Sequence, residues 1–394
     1  MSLPIVTLKS GKEQSLNRFH PWIFSGAIKF VSQELEEGEL VRVVSSKQDF
    51  LAIGHYQIGS IAVRVVSFED VAINTEFWER KLSEALSLRC ALGLLGSEHT
   101  NVFRLIHGEG DGMPGLIVDF YNGTAVYQAH SVGMYHLRHE LAKILKKLLG
   151  DALVAVYDKS DKTLPFKADI QPENGYLLGT SEPCIVREYG LSYQVDWIEG
   201  QKTGFFIDQR ENRKLLEQFS KGRDVLNMFC YSGGFSFFAM QGGAKLVHSV
   251  DASAKAIELT RQNVALNFGD DDRHEAFATD AFDFMRDMKD RYDLIVLDPP
   301  AFAKHRGALR QALQAYKRLN AKAFEQIRPG GILFTFSCSQ VVSKDQFREA
   351  VFSGAAISGR KVRILHQLHQ PADHPVNIYH PEGEYLKGLV LYID

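Results

Sequence analysis

The sequence contains few cysteines, and they are widely separated. Its 394 residues include only Cys90, Cys184, Cys230 and Cys338, with no CxxC pair and no spacing typical of a metal site. Scattered cysteines of this kind are usual in a reducing compartment, where they remain thiols. We therefore expect four reduced cysteines, no disulfide framework and no bound metal.

Long apolar runs and a strong net charge are also absent. No run approaches the roughly 18–20 residues of a membrane-spanning helix, and the N-terminus does not have the pattern of a secretory signal peptide. We therefore expect a cytoplasmic protein with no membrane partner. The formal charge of −3 excludes a polybasic nucleic-acid coat protein, so any contact with RNA would have to come from local basic patches.

The first 70 residues predict a small β module. Strand-like runs at 40–44 and 61–66 lie between glycines that punctuate the segment as turns do. The segment from His20 to Phe24 is rich in aromatic residues, and its residue types fit the packed core of a small barrel.

Residues 74–185 mix helical and strand patterns and predict a middle α+β domain. Asn74 or Thr75 can cap a first helix, and residues 134–149 predict another helix. Residues 103–119 place four glycines between two apolar runs. This pattern predicts a hairpin-like connection, because no Lys-Ser/Thr follows to form a phosphate-binding loop.

From residue 186 to the C-terminus, strands and helices alternate. Continuous apolar runs, such as Leu294 to Leu297, suit strands that are buried on both faces of a parallel sheet. Each run is followed by a helical pattern, which is typical of a doubly wound α/β sheet. The last two runs, 362–368 and 388–393, could close the sheet as a hairpin.

Polar residues follow four successive predicted strands of this region. Asn227 to Ser236 ends the first strand and includes Phe229 and Gly233, while Asp251, Asp280 and Asp298 end the next three. Ligands of open α/β sheets bind outside the carboxyl ends of the strands. Asp251 is spaced for ribose hydroxyls, and Asp280 could accept from an adenine amino group. Because no dinucleotide fingerprint is present, S-adenosylmethionine fits this nucleoside site better than a dinucleotide does.

The strand at 294–297 ends in Asp298-Pro299-Pro300-Ala301-Phe302. Two prolines cannot extend the sheet, and they offer only carbonyl acceptors. A carboxylate, a rigid acceptor turn and an aromatic ring suit a flat base that carries an amino group. A capped turn with a core phenylalanine explains the same residues equally well.

Cys338 ends the next strand, within Ser337-Cys338-Ser339. A thiolate is a strong nucleophile where nearby positive charge favours it. The segment from Lys304 to Lys322 supplies six basic residues, Lys304 and Arg306 among them. These either form a solvated helix face or hold the phosphates of a substrate. The competing thiol, Cys230, lies beside the glycine turn and suits packing.

These motifs together resemble the bacterial 23S ribosomal RNA large-subunit methyltransferase I family, whose members make 5-methylcytosine in RNA. The resemblance covers essentially the whole chain. It rests on Lys202 to Arg213, Asn227 to Ser236, Asp298 to Phe302, Ser337 to Ser339 and Glu384 to Lys387. It implies a PUA-like RNA-binding β-barrel over residues 1–70, a middle α+β domain over 74–185, and a class I, Rossmann-like methyltransferase domain over 186–394.

The resemblance also implies roles for particular residues. Those that would hold S-adenosylmethionine are Phe206, Gln209, Arg210, Asn227, Phe229, Gly233, Asp251 and Asp280. Asp298, Pro299 and Phe302 would hold the flipped cytosine, and Cys338 would attack C6. The position of the basic segment directly after this turn, and not the resemblance, marks Lys304 and Arg306 as candidates to bind the ribosomal RNA substrate. Many RNA cytosine methylases carry a second cysteine where this chain has Pro300 and Ala301, so the group that removes the C5 proton is unassigned.

Two other functions are compatible with the residues. An amino-group methylase that acts on adenine N6 or cytosine N4 would use the Asp-Pro-Pro-aromatic turn without a nucleophile. A non-catalytic RNA-binding assembly factor would keep the fold without the reaction. The sequence is also compatible with a homodimer.

Overall fold

The computed structural model describes residues 3–165 and 170–394. Its contacts divide the chain into two compact units. The first unit contains Met1–Val186, Val195–Phe205 and Ala372–Gly383; the second contains Arg187–Gln194, Phe206–Pro371 and Glu384–Asp394. The first two predicted domains therefore fall within one unit, and the boundary between them remains a prediction.

The first unit begins with a six-stranded sheet. Its strands are β1 (Ile5–Leu8), β2 (Trp22–Phe24), β3 (Ile28–Val31), β4 (Leu40–Val44), β5 (Phe50–Tyr56) and β6 (Ile61–Ser67). They lie in the order β2-β6-β5-β4-β1-β3. Alternate valines such as Val41, Val43 and Val63 point into its core, as expected for strands with one buried face. The predicted β module is thus present.

A five-stranded sheet with three helices follows. In chain order the elements are α1 (Thr75–Ala91), β7 (Val102–His107), β8 (Leu116–Tyr121), β9 (Thr124–Ala129), α2 (Val132–His136), α3 (Arg138–Leu149), β10 (Ala155–Asp158) and β11 (Gly175–Leu178). Asn74 caps α1, because its Oδ1 accepts from the Phe77 amide at 3.0 Å. The glycine-rich connection joins β7 and β8, which pair as an antiparallel hairpin as predicted.

The helix predicted over 134–149 is two helices that meet at Leu137. The Arg138 guanidinium stacks 3.9 Å from the centroid of the Tyr135 ring and donates to the Tyr135 carbonyl at 2.8 Å. A side chain that takes up a carbonyl in this way competes with the next helical hydrogen bond and bends the axis. The period of apolar residues that predicted one helix carries no information about such a contact.

The second unit contains the doubly wound sheet. A two-stranded sheet, β12 (Cys184–Glu188) and β13 (Leu191–Val195), precedes it in the chain. The elements that follow are α4 (Arg210–Phe219), β14 (Asp224–Met228), α5 (Gly234–Gln241), β15 (Leu246–Asp251), α6 (Ala254–Phe268), β16 (His274–Ala278), α7 (Ala281–Phe284), β17 (Leu294–Leu297), α8 (Leu309–Gln326), β18 (Gly331–Ser337), α9 (Lys344–Ser358), β19 (Val362–Leu368) and β20 (Lys387–Ile393).

The seven strands of the main sheet lie in the order β16-β15-β14-β17-β18-β20-β19. Neighbours from β16 to β18 are parallel, whereas β20 is antiparallel to both β18 and β19. The order reverses between β14 and β17, which makes a crevice at their carboxyl ends. This confirms the predicted α/β fold with its closing hairpin. None of the helices in the described ranges is both long and apolar enough to cross a membrane.

Candidate functional site

The turn after β14 has an unusual backbone. Phe229, Tyr231 and Gly233 have φ angles of 60°, 47° and 86°, and Gly233 forms the N-terminal cap of α5. A Cβ on Gly233 would lie 2.7 Å from the Phe237 ring and 2.8 Å from Thr260. Positive φ angles at two non-glycine residues cost free energy, and such strain concentrates at ligand sites. The turn at the switch point is therefore a candidate binding loop.

Asn227 lies inside β14, just before this turn, and is buried. Its Nδ2 donates to Ser236 Oγ at 2.9 Å. Its Oδ1 has no hydrogen-bond partner among the residues that the structure describes. A buried acceptor without a donor is unfavourable, so a ligand that offers N–H or O–H groups would suit this position.

The carboxylates at the ends of β15 and β16 both make hydrogen bonds within the fold. Asp251 Oδ2 accepts from the Tyr231 amide at 3.1 Å, which fixes the strained turn, and its Oδ1 accepts from the Ser253 amide at 2.9 Å. Asp280 is exposed and caps α7 through Oδ1. Its other oxygen has no partner in the described part of the chain and remains available to a ligand.

Residues 206–210 lead into α4. The Phe206 ring meets the Tyr231 ring edge-on, with centroids 5.0 Å apart, so Phe206 lies beside the strained turn. Gln209 and Arg210 are buried. Gln209 Oε1 accepts from Asn212 at 2.6 Å, and Arg210 Nε lies 3.1 Å from Glu211. Both side chains are thus already held in place.

Taken together, the polar groups singled out at the carboxyl ends of β14 to β17 are mainly acceptors. Asn227 Oδ1 and the carboxylates of Asp251, Asp280 and Asp298 belong to this set. S-adenosylmethionine offers matching donors: an amino group, two ribose hydroxyls and an exocyclic adenine amine. The chemistry of the site therefore fits this molecule.

The Asp-Pro-Pro turn follows β17, and its proline carbonyl faces the neighbouring strand. Cys338 Sγ lies 3.9 Å from the Pro299 carbonyl oxygen, because β17 and β18 are parallel neighbours with Leu297 opposite Thr335. Cys338 is half-buried. The structure thus brings the predicted thiol and the predicted base-binding turn together. By contrast, Lys304 and Arg306 are exposed beyond the turn.

Phe302 packs against α8, with its ring centroid 4.7 Å from that of Tyr316. It is only partly buried, so this contact supports the packing interpretation without removing the ring from solvent. Tyr316 was not singled out by the sequence. Its hydroxyl hydrogen-bonds with Ser337 Oγ at 2.9 Å and Ser339 Oγ at 3.0 Å, so it holds the residues on both sides of Cys338.

Lys387 ends the segment Glu384 to Lys387 on which the resemblance rests, but the sequence assigned it no role. Its side chain is buried, and its Nζ donates to the Ser339 carbonyl at 2.7 Å. Burial lowers the pKa of Lys387 to about 8, while the charge of the neighbouring Cys338 acts in the opposite direction. The pairing of Ser337 with Lys387 in the antiparallel strands β18 and β20 places the lysine there. A lysine in an otherwise apolar strand was the available signal.

The other thiol near the glycine turn is unsuited to nucleophilic chemistry. Cys230 is buried in a cluster with Ile257 and Ala276. Burial raises the pKa of Cys230 to about 12, so it is a neutral thiol at physiological pH. Its role is packing, as predicted.

Comparison with known protein families agrees with the observed fold and with S-adenosylmethionine as the cofactor. Residues 104–380 match a family described as S-adenosylmethionine-dependent methyltransferase, and residues 6–68 match a PUA-like domain. A protein of Tolumonas auensis called ribosomal RNA large subunit methyltransferase I is 40% identical over 394 residues, with 98% of each chain covered. A protein of the same name from Alteromonas mediterranea is 38% identical over 391 residues, also with 98% of each chain covered.

Solved structures share the fold over the full length. A candidate S-adenosylmethionine-dependent methyltransferase from Streptococcus mutans has a TM-score of 0.84 at 22% identity, with both chains completely covered. A methyltransferase candidate solved with SAH has a TM-score of 0.85 at 23% identity, again with complete coverage. At these identities the likeness concerns the fold alone.

Proposed function

The chain belongs to the ribosomal RNA large subunit methyltransferase I family of S-adenosylmethionine-dependent methyltransferases, and on this premise we propose that it methylates C5 of a cytosine in 23S ribosomal RNA. In this proposal the reaction proceeds through a covalent bond between Cys338 and C6 of the base. The relatives' name supports the ribosomal RNA substrate. The choice of carbon as the methylated atom comes from the chemistry of the site.

The observation that carries the proposal is the thiol beside the base-binding turn. Cys338 Sγ lies 3.9 Å from the Pro299 carbonyl oxygen, so a base held by this turn would meet the sulfur. Methylation of an amino group has no need of a thiol at this position, because the nitrogen is itself the nucleophile. Cytosine C5 is a poor nucleophile and requires activation.

Cys338 provides that activation. Its thiolate adds to C6 and forms a sulfur–carbon bond, and the ring electrons then make C5 nucleophilic. Bound S-adenosylmethionine supplies an electrophilic methyl group. After C5 carries the methyl group, loss of the C5 proton to a base restores the ring and expels the thiolate. Asp298 would hold the N3/N4 edge of the cytosine, which has to be turned out of its RNA stack to reach the pocket.

The strained turn and the strand-end carboxylates would hold the cofactor. Asp251 suits the ribose hydroxyls and Asp280 the adenine amine, while Phe229 and Gly233 let the backbone approach closely. Phe206, Gln209, Arg210 and Asn227 would complete this site. Lys304 and Arg306, exposed beyond the base-binding turn, would contact substrate phosphates.

A mechanism-based trap tests the proposal. Fluorine at C5 cannot leave as a proton does, so 23S RNA transcribed with 5-fluorocytidine should remain bonded to the enzyme when S-adenosylmethionine is present. We expect wild-type protein to form a complex that survives denaturing electrophoresis, and Cys338→Ala to form none while it still binds the cofactor in calorimetry.

Cys90→Ala, which changes an exposed thiol, is the matched control and should form the complex normally. Methylation by Cys338→Ala at the wild-type rate would contradict the covalent route. Methyl groups found only on amino nitrogens would favour an amino-group methylase, and failure of the wild type to bind the cofactor would favour a non-catalytic assembly factor.

The proposed ribosomal RNA substrate suggests which domain helps to bind it and in which compartment the enzyme acts. The PUA-like domain would contribute to RNA binding, and we expect the enzyme to act in the cytoplasm, where ribosomal RNA is available. A homodimer remains a prediction that light scattering of the purified chain would check. Mass spectrometry of ribosomal RNA nucleosides from cells that lack the protein would identify the modified base.

A further inference from the structure

Three side chains of the first unit, none of which takes part in the proposed reaction, form a close group of metal-ligating residues. His20, His380 and Glu382 each offer one metal-ligating atom, and these atoms all lie within 4.8 Å of one another. Glu382 Oε2 lies 3.4 Å from His20 Nε2 and 3.7 Å from His380 Nε2. The Glu382 carboxylate therefore lies close to both imidazole rings.

The local structure fixes the orientation of His20. Its Nδ1 lies 3.3 Å from the Trp22 carbonyl oxygen and accepts from the Trp22 amide at 3.2 Å, at the start of β2. Both contacts hold the ring through Nδ1 and leave Nε2 facing Glu382, and in the tautomer with its proton on Nδ1 the Nε2 atom carries the lone pair that a metal would bind. Histidines that bind metals are commonly held in this way, by a hydrogen bond from the other ring nitrogen.

His380 and Glu382 are placed by one tight turn. The His380 amide donates to the Asn377 carbonyl at 2.8 Å, and the Gly383 amide donates to the His380 carbonyl at 3.1 Å. His380 thus directly precedes, and Glu382 lies within, a short 3-10 turn over Pro381–Gly383. His20 is 360 residues away in the sequence, so sequence spacing could not reveal the group.

The burial of His380 is an independent observation that points to a ligand. Only 3% of this residue is exposed, and neither ring nitrogen has a hydrogen-bond partner within the described ranges. The Trp22 ring packs against the imidazole at a centroid distance of 4.3 Å. Burial of a polar ring without a partner is unfavourable, whereas a metal ion would take up the Nε2 lone pair.

We propose that His20, His380 and Glu382 bind a zinc ion. In tetrahedral zinc sites the metal lies about 2.0–2.2 Å from nitrogen and oxygen ligands, which sets neighbouring ligand atoms roughly 3.3–3.5 Å apart. The two distances from Glu382 need only a small adjustment to meet this value. Two histidines and one glutamate leave a fourth position for water, and nitrogen ligands select against magnesium and calcium, which prefer oxygen.

The surrounding charge permits a cation. Arg64 is a nearby positive group, and its guanidinium bonds to Glu109 at 2.8 Å, which balances its charge. Coordination would join the entry of β2 to the segment from Ala372 to Gly383, both within the first unit. A bridge between such distant positions stabilises the folded chain. The proposal revises the expectation of no metal site, which was based on cysteine spacing alone.

Equilibrium dialysis of the full chain against zinc, after treatment with a chelator, tests the proposal. We expect one zinc per chain by mass spectrometry of the metal. Glu382→Gln should weaken binding at least about tenfold, because even indirect partners of a bound metal typically contribute 10–100-fold. The Glu382 side chain is 42% exposed, so this substitution should leave folding intact. The matched control is Glu384→Gln, which changes a similarly exposed glutamate that pairs with Lys344 and should bind zinc normally.

Cobalt in place of zinc distinguishes the ligands. The wild type should show visible bands of tetrahedral cobalt without an intense thiolate charge-transfer band, and His20→Gln should remove them. Zinc should also raise the melting temperature of the wild type but not that of Glu382→Gln. The proposal is overturned by a thiolate band, by sub-stoichiometric zinc in the wild type, or by equal binding in the wild type, His20→Gln and Glu382→Gln.

Discussion

At the scale of single residues, the environment of Cys338 depends on Lys387. Burial lowers the pKa of Lys387 to about 8, so the side chain is an ammonium at neutral pH. A nearby ammonium favours the thiolate form of a cysteine. We therefore expect the ammonium to support adduct formation near neutral pH, and its removal to shift the rise of the rate with pH to higher pH. Lys387→Met should slow the reaction at pH 7 by about tenfold, the effect of one unit in thiol acidity.

A control variant and a stability measurement separate an effect of Lys387 on the thiol from an effect on folding. Lys344→Met removes an exposed lysine and should keep the wild-type pH profile. Since the pKa of Lys387 is lower in the folded chain than the usual 10.5, the unfolded chain binds more protons between pH 8 and 10.5. This group therefore adds stability as the pH rises through that window. Identical pH profiles in the wild type and Lys387→Met would contradict any influence of the ammonium on the thiol.

At the scale of elements, the turn between β14 and α5 carries the strain of the site. Gly233 has φ 86°, and an added Cβ would meet Phe237 at 2.7 Å. Gly233→Ala should therefore cost about 1–3 kcal/mol of unfolding free energy and lower the affinity for S-adenosylmethionine at least tenfold. Urea denaturation and calorimetry would measure the two effects.

Gly222 provides the matched control for that turn. Its φ is 72°, but nothing lies within 4 Å of an added Cβ. Gly222→Ala should therefore show only backbone strain, about 1 kcal/mol, with unchanged cofactor affinity. Equal affinities in the two variants would mean that the turn after β14 does not contact the cofactor.

A buried ion pair anchors α4, the helix that follows Phe206. Arg213 donates to both carboxylate oxygens of Glu188 at 2.7 Å and to the Phe206 carbonyl at 3.0 Å. Arg213→Met would leave Glu188 buried without its partner and should destabilise the fold by about 3–5 kcal/mol. Adding Glu188→Leu should restore most of this loss in urea denaturation. A double variant as unstable as the single one would show that packing by Arg213, not its charge, is what matters.

At the scale of the whole molecule, the sequence predicted the helices and strands themselves better than it predicted which strands and side chains contact one another. Apolar runs, glycines and prolines are local signals, so the alternation after residue 186 and the strand-end residues Asp251 and Asp298 could be read directly. The pairing of Ser337 with Lys387 could not, because it depends on an antiparallel strand that returns 50 residues later in the chain. The approach of His20 to His380 depends on tertiary structure in the same way.

The overall charge of the molecule bears on how RNA binding should depend on salt. With a formal charge of −3, the chain as a whole does not attract RNA, so binding should depend on exposed basic residues beyond the Asp-Pro-Pro turn. Each phosphate contact to single-stranded RNA contributes about 0.7 to the slope of log K against log salt. The double variant Lys304→Gln, Arg306→Gln should therefore reduce that slope by about 1.4 in fluorescence anisotropy with a 23S RNA fragment. The control, Lys221→Gln with Lys245→Gln, changes exposed lysines before β14 and β15, at the opposite end of these strands. An equal loss of slope in both variants would place the RNA elsewhere on the molecule.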